Sequence, residues 1–300
     1  MSKTKKELNA LSPVPNVLLN IVLLLFSLAC ILPFVFTIII SFTDESVLLN
    51  GYSFWPSKWS LAGYEYVFKS GGMIFNAFWV SIQLVVIGTI LGLAITSMYA
   101  YILFRKDYKF RKFFNWLSFI TMIFSAGLVP TYVVFVQMFH LKNSLWALIF
   151  PLLCTPFNII ILKTFYTTSI PEALIESASI DGCSEFRTFA QIILPISLPG
   201  LATIALFYTL GYWNDWYNAL LYIDEASMVP LQYLLMKIQN NINYLTTNLG
   251  DVGTAEALRN MPSESARMVL AVIIIVPIAC AYPFFQKYFV SGLTVGSVKG

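Results

Sequence analysis

Long apolar runs dominate the chain, and most of its polar residues fall in the gaps between them. Six runs stand out, at about 17–42, 75–104, 113–139, 144–168, 197–223 and 267–289. A helix rises about 1.5 Å per residue, so about 20 apolar residues cross a hydrocarbon core of about 30 Å. In lipid every backbone polar group needs a partner within its own segment, which selects helices over open strands. The pattern therefore predicts an all-α integral membrane protein with six transmembrane helices. A short N-terminal segment, 1–16, precedes a single transmembrane domain over 17–300. Pro33, Pro130, Pro151 and Pro277 fall inside the runs and are expected to mark kinks. Gly88 and Gly92 form a G-x-x-x-G step in the second run, which permits close approach of another helix.

Composition supports the same class. Of the 300 residues, 58% are hydrophobic and 11% charged, and the mean hydropathy is +0.75. Soluble domains are about 45–50% apolar and about 25% charged. The net charge of +3 is small, and no basic patch is interleaved with aromatics, so nucleic acid is not an expected partner. Cys30, Cys154, Cys183 and Cys280 have no metal or disulfide spacing and read as free thiols; no metal site is expected. Lys3, Lys5 and Lys6 before "FSLAC" suggest a secretory leader or a lipoprotein cleavage site at Cys30. A leader's apolar region is only about 7–15 residues long, however, and Ser27 rather than Leu stands three residues before the cysteine. A retained first membrane helix is the expectation. With one histidine and no H-E-x-x-H or G-x-S-x-G, the chain has little equipment for an intramembrane enzyme. It also lacks a P-loop, so ATP has no such site of its own here.

Orientation follows from Lys and Arg in the short loops. Twelve fall on the side of the N-terminus: Lys3, Lys5, Lys6, Arg105, Lys106, Lys109, Arg111, Lys112, Lys163, Arg187, Lys287 and Lys299. Six fall on the other: Lys58, Lys69, Lys142, Lys237, Arg259 and Arg267. Both termini are expected in the cytoplasm, and so is the loop 169–196. Two larger outer segments remain, about 43–74 and 224–266, neither long enough for an independent binding domain.

That cytoplasmic loop contains "EALIESASIDGCSEFRTFAQIILP" (172–195), with five charges of which four are acidic. Inner loops are usually basic, so acidity here points to a cationic surface on something else. The stretch reads as two short helices joined by a glycine. Pro171 and Glu172 suit a first helical turn. Glu172 and Glu176 share a face at i,i+4, a like-charge pairing that costs a few tenths of a kcal/mol and hints at an external cation. Ile175 and Ala178 would pack the opposite side. Asp181-Gly182 reads as a helix stop, and Asp181 or Ser184 would cap the following helix, 185–193. Pro195 and Pro199 then redirect the chain into the fifth run.

These residues carry a resemblance. Glu176-Ser177-Ala178, three residues, Gly182, nine residues, then Ile192-x-Leu194-Pro195 resembles the E-A-A-x3-G-x9-I-x-L-P loop of bacterial ABC-importer permeases. Ser177 replaces one alanine. "SAGLVPTY" (125–132), "GYWNDWYNALLYI" (211–223), "PSESARM" (262–268), "AYPFFQKYF" (281–289) and the terminal "VGSVKG" resemble the carbohydrate-uptake permease family. They are most similar to its complex-saccharide subgroup and to the six-helix permease subunit of the maltose importer. The resemblance implies the type I ABC-importer permease fold, in the bacterial plasma membrane. It implies a second homologous permease as a heterodimeric partner, two cytoplasmic ATPases and an extracytoplasmic substrate-binding lipoprotein. A saccharide would be imported by alternating access, with ATP and Mg held by the ATPases and no cofactor in this chain. In such families the loop glutamate pairs with an ATPase arginine, and Glu176 occupies that position. Ser177, Ala178 and Asp181 complete the first coupling segment, Gly182 lets the chain turn, and Ile192, Leu194 and Pro195 seat the second helix.

Asp215 is the clearest ionisable residue inside a run, and such residues are functional candidates by default. Trp213, Asn214, Asp215 and Trp216 supply the aromatic faces, amide and carboxylate that commonly bind saccharides. They equally suit an interfacial aromatic belt, with Asp215 bonded to backbone or to a neighbouring helix. Both readings stay open at this point. Gln83, Gln137 and Asn158 are expected to make helix-to-helix hydrogen bonds, and His140 to be structural. The rival to the importer reading is a self-sufficient secondary transporter or channel. Such a protein usually shows coupled intramembrane charges or inverted repeats, and Asp215 alone is thin support for it.

Overall fold

The computed structural model describes residues 13–48, 50–69, 71–247 and 264–296, and among them the chain is helical, with one isolated β-bridge between Thr43 and Trp59. Three helices are long and apolar enough to cross a membrane alone, and three bent helix pairs raise the number to six if each pair is one span. The chain divides into two compact units, residues 1–69 with 259–272, and 70–258 with 273–300.

In the first unit, α1 (Pro13–Ser41) runs uninterrupted through Pro33. Its sequence is apolar all round, and most of its side chains are exposed in this chain. The hydroxyls of Ser41 and Thr43 donate back to the carbonyls of Ile38 and Ile39 and close its last turn. The returning segment is clipped to this end by Ser60 N–H on Phe42 O and Asp44 N–H on Lys58 O. Lys58 Nζ also lies 2.8 Å from the Asp44 carboxylate. Its hydrogen bond, with two from Ser46, holds that carboxyl down at about 2. What the pair adds to stability is present above the ordinary carboxylate range and is lost only as pH falls through about 2. Short α2 (Glu45–Leu48) and α3 (Ala62–Lys69) follow. Glu45 accepts from the backbone N–H of Glu264 and Ser265, at 2.9 and 3.2 Å, and from the Ser265 hydroxyl. A carboxylate from far away in sequence thus caps the first turn of the last helix, where the helix dipole favours negative charge.

The second unit is built on α4 (Gly71–Phe104). The expected third span, 113–139, comprises two helices, α5 (Arg111–Ile123) and α6 (Leu128–Val133, extended by a π-turn to Met138), bent by 113°. The break is an extended segment ending at Gly127, whose φ of +85° suits glycine. The fourth span divides into α7 (Leu145–Leu153) and α8 (Pro156–Ser169), bent by 46°. Pro151 lies within α7 and Pro277 within the last helix, so these prolines do not coincide with the breaks. Pro156 does, because it has no N–H to continue the α7 ladder.

After the loop come α9 (Glu172–Ile180), α10 (Glu185–Thr188) with its π-turn to Ile193, α11 (Leu194–Ile196), α12 (Leu198–Asn214) and α13 (Tyr217–Tyr222). Then follow α14 (Leu231–Thr247) and α15 (Glu264–Gly296), which opens in the first unit and continues into the second.

The G-x-x-x-G step does what its spacing suggests. A Cβ on Gly88 would stand 2.4 Å from the Tyr212 ring, and one on Gly92 would stand 2.8 Å from the Tyr208 ring. The two tyrosines of α12 therefore lie flat on α4, and their hydroxyls reach past it to α7. Tyr212 donates to Ile149 O at 2.9 Å, and Tyr208 donates to Leu153 O at 3.1 Å. Since Tyr208 has one proton, its 2.6 Å contact with Thr96 Oγ1 makes Thr96 the donor there. Leu153 O is a carbonyl freed by the α7–α8 break, and Thr155 Oγ1 serves the neighbouring Leu152 O. This is how a broken helix is kept satisfied at membrane depth. Tyr208→Phe should strand Leu153 O and cost about 1–3 kcal/mol, read as a lower melting temperature of the solubilised protein with the helix content unchanged. Polar helix-to-helix contacts are made by these hydroxyls, by Lys163 with Asn115, and by Ser118 with Tyr99 among others. Among the described residues Gln83, Gln137 and Asn158 make none, contrary to expectation. The backbone at His140 has φ +52°, and Asn143 (φ +56°) accepts from the N–H groups of Asp224 and Glu225. Both sit in a turn tied to the end of α13.

Candidate functional site

The acidic loop begins where α8 stops at Ser169. Pro171 stands at the N-cap of α9 rather than inside it, and Glu172 occupies the first turn. Ile175 and Ala178 face inward, 7% and 4% exposed, while Glu176 and Ser177 face out. Asp181 ends the helix, and Gly182 adopts φ +73°. Gly182 N–H bonds to Ser179 O and Cys183 N–H to Ala178 O, at 3.1 and 2.9 Å. That paired pattern is a Schellman stop, which needs a left-handed residue and therefore favours glycine. Ser184, not Asp181, caps α10, accepting from Arg187 N–H.

The second helix of the loop buries Thr188, Phe189 and Ile193. Ile192 and Leu194 are half-buried, and Pro195 is exposed. Seating thus falls mainly to Phe189 and Ile193, neither of which the spacing argument singled out. Beyond Ser197 the chain bends by 83° into α12.

Two of the four acids are already paired. Glu172 forms an ion pair with Lys106, and Glu185 receives Arg105 Nη2 at 2.7 Å and the Tyr101 hydroxyl at 2.7 Å. Neither pairing is visible in the sequence, since Arg105 and Lys106 lie 80 and 66 residues from Glu185 and Glu172. The Lys106 pair is exposed at both ends and is worth about 0–1 kcal/mol. The Arg105 side chain is only 16% exposed and also reaches Asp107 at 3.2 Å, which makes a more closely held network. Among the described residues Glu176 and Asp181 form no ion pair. Glu176 borders an open cleft of about 720 Å³, shared with Arg105, Lys106, Thr168, Glu172 and Ser179. Ile180, which also borders this cleft, is 86% exposed, and Phe186, beyond the Gly182 turn, is 73% exposed. Sequence reasoning overlooked both. Their position on either side of the Gly182 turn was the available signal.

The second candidate group separates. Trp213 is buried, donates its indole N–H to Ile274 O at 3.2 Å and meets the edge of Phe78. Of the two readings left open, Trp213 fits the structural one here, packed in the helix core. Asp215 follows the end of α12, and its carboxylate accepts from Asn218 N–H and Nδ2 at 3.1 and 2.8 Å. It therefore braces the turn into α13, as the backbone-bonded reading expected. Asn214 and Trp216 remain exposed.

A profile of the family described as binding-protein-dependent transport system inner membrane component matches residues 107–295. The chain is 39% identical to the polygalacturonan/rhamnogalacturonan transport system permease protein of Bacillus subtilis, over 93% of this chain and 96% of that one. It is 30% identical to the arabinooligosaccharides transport system permease protein of Halalkalibacterium halodurans, over 96% and 98%. Its fold is similar to a chain in the crystal structure of a bacterial ABC transporter that imports the acidic polysaccharide alginate. The TM-score is 0.79 at 24% identity, covering 93% of this chain and 99% of that one. The helical architecture, the bipartite acidic loop and these matches agree: the chain belongs to the family of binding-protein-dependent transport system inner membrane components, the permease subunits of ABC importers.

Proposed function

We propose that this permease imports a saccharide and that the loop 169–196 is where ATPase movement reaches it. One observation carries the reading of the loop. Glu172 and Glu185 are held by Lys106 and Arg105, whereas among the described residues Glu176 forms no ion pair, on a loop that also exposes Ile180 and Phe186. An unpaired carboxylate on a surface that also exposes large apolar side chains suits a partner cleft that offers both a cation and apolar contacts. In this reading two cytoplasmic ATPases bind ATP and Mg, and the permease itself hydrolyses nothing. A second, homologous permease completes the pathway, and an extracytoplasmic lipoprotein delivers the cargo. Both termini lie in the cytoplasm, as the Lys and Arg distribution favours.

Burying Ile180 and Phe186 contributes about 1.5–3 kcal/mol each, and an aspartate in either place adds an unpaired buried charge. Ile180→Asp with Phe186→Asp should lower ATPase recovery on affinity purification at least ~10-fold while the second permease still co-purifies. Undiminished ATPase recovery would contradict the loop's role.

The saccharide reading rests on the relatives that transport polygalacturonan, rhamnogalacturonan and arabino-oligosaccharides. Asn214 and Trp216, exposed beside the Asp215 turn, are the chain's candidates for touching cargo. Uptake of labelled oligogalacturonides and arabino-oligosaccharides by cells with and without the gene tests it. No difference for either class would count against a saccharide of these kinds.

A further inference from the structure

Tyr101 lies in the last turn of α4, and Arg105 directly follows it, its N–H bonded to Tyr101 O at 3.0 Å, so the two side chains lie on one face at i,i+4. The second helix of the loop carries Glu185 and Phe189 at the same spacing. The two pairs face one another. Arg105 Nη2 donates to one Glu185 oxygen and the Tyr101 hydroxyl to the other, both at 2.7 Å. The Tyr101 ring lies 5.2 Å from that of Phe189, centroid to centroid. Tyr101 and Phe189 are each 6% exposed, so the contact is closed. Arg111 Nε donates to Leu103 O at 2.8 Å and so also holds the α4 terminus. The first loop helix has its own tether, Lys106 to Glu172, from the residue after Arg105, just past the end of α4. Each loop helix is therefore fastened near its N-terminus to the same end of the same helix, with the Gly182 turn between the two anchors.

α4 is also the helix on which α12, α8, α7 and α14 pack. A push on the loop has two covalent exits, at Ile170-Pro171 and at Ser197, and the second of these is bent by 83°. We infer that Tyr101 and Arg105 form a clamp that delivers loop movement directly to α4, making them positioning residues for transport. The inference rests on the loop being the ATPase contact. Charge complementarity is the core of the clamp, so reversing one side should break it and reversing both should rebuild it.

The test uses the complete importer, ATPases and second permease included, in proteoliposomes. The chain has its four native cysteines replaced and one cysteine introduced by Met73→Cys, at the end of α4 away from Arg105. The rate at which a maleimide labels that cysteine is measured with and without Mg-ATP and vanadate. Without further changes the nucleotide should alter the rate at least threefold. Arg105→Glu and Glu185→Arg should each abolish the response while ATPase recovery stays normal, and the two together should restore at least half of it. Tyr101→Phe, a milder change that preserves packing, should reduce it partly. A full nucleotide response in both single reversals would overturn the clamp, as would a double reversal that assembles without recovering. Failure of the loop reading looks different: Ile180→Asp with Phe186→Asp would then leave ATPase recovery intact.

Discussion

Glu176→Lys should leave the permease in the membrane and its partner subunits assembled, yet stop transport. Among the described residues Glu176, like Asp181, forms no ion pair, whereas Glu172 and Glu185 are committed to Lys106 and Arg105. A partner cation opposite Glu176 would lose its counter-charge and meet a like one. Breaking a close charge pair at an interface costs about 2–5 kcal/mol, which corresponds to a roughly 30-fold or larger loss in coupling. ATP hydrolysis should continue while cargo uptake per ATP falls by that factor, measured together in proteoliposomes. Glu172→Lys breaks only an exposed tether and should reduce the ratio a few-fold at most. Equal losses from the two substitutions would remove the distinction on which the assignment stands.

The largest expected effect on folding belongs to Gly88→Leu. Its first side-chain carbon would sit 2.4 Å from the Tyr212 ring, which is held in place by the hydrogen bond from its hydroxyl to Ile149 O. The ring cannot retreat without giving up that bond. Overpacking of this kind costs about 1–3 kcal/mol and sometimes more, and the lost hydrogen bond adds about 1 kcal/mol. The expected result is a markedly lower melting temperature and yield of solubilised complex. Gly72→Leu, where a Cβ meets nothing within 4 Å, should change little. Equal stability of the two variants would mean that α12 does not lie on α4 as described.

Much of this was legible in the chain itself, for identifiable physical reasons. Apolar runs announce membrane helices because lipid permits few alternatives, so the helices end close to where the runs do. The loop's stop was readable because Asp181-Gly182 offers the residue type that most readily takes the left-handed turn. The close approach at Gly88 and Gly92 was readable from spacing, although the tyrosines that fill it were not. What stayed hidden depends on partners distant in sequence. Hydropathy cannot see the break at 124–127, since the apolar run continues through it. Tyr101, Arg105 and Lys106 looked like the end of a span followed by ordinary positive-inside residues. Their pairing with Glu185 and Glu172 joins positions 84, 80 and 66 residues apart. Trp213 stayed open between a substrate path and an aromatic belt because core packing, aromatic belts and sugar contacts draw on the same side chains. Only its burial and its bond to Ile274 O separate these roles.

The central claim is that the surface around Glu176 meets an ATPase. A photo-crosslinking amino acid at position 176, in the assembled importer, tests it most directly. The account predicts an adduct of this chain with the ATPase subunit, formed from the cytoplasmic side and absent when Ile180→Asp and Phe186→Asp are introduced. Adducts confined to lipid, or to an extracytoplasmic protein, would contradict it.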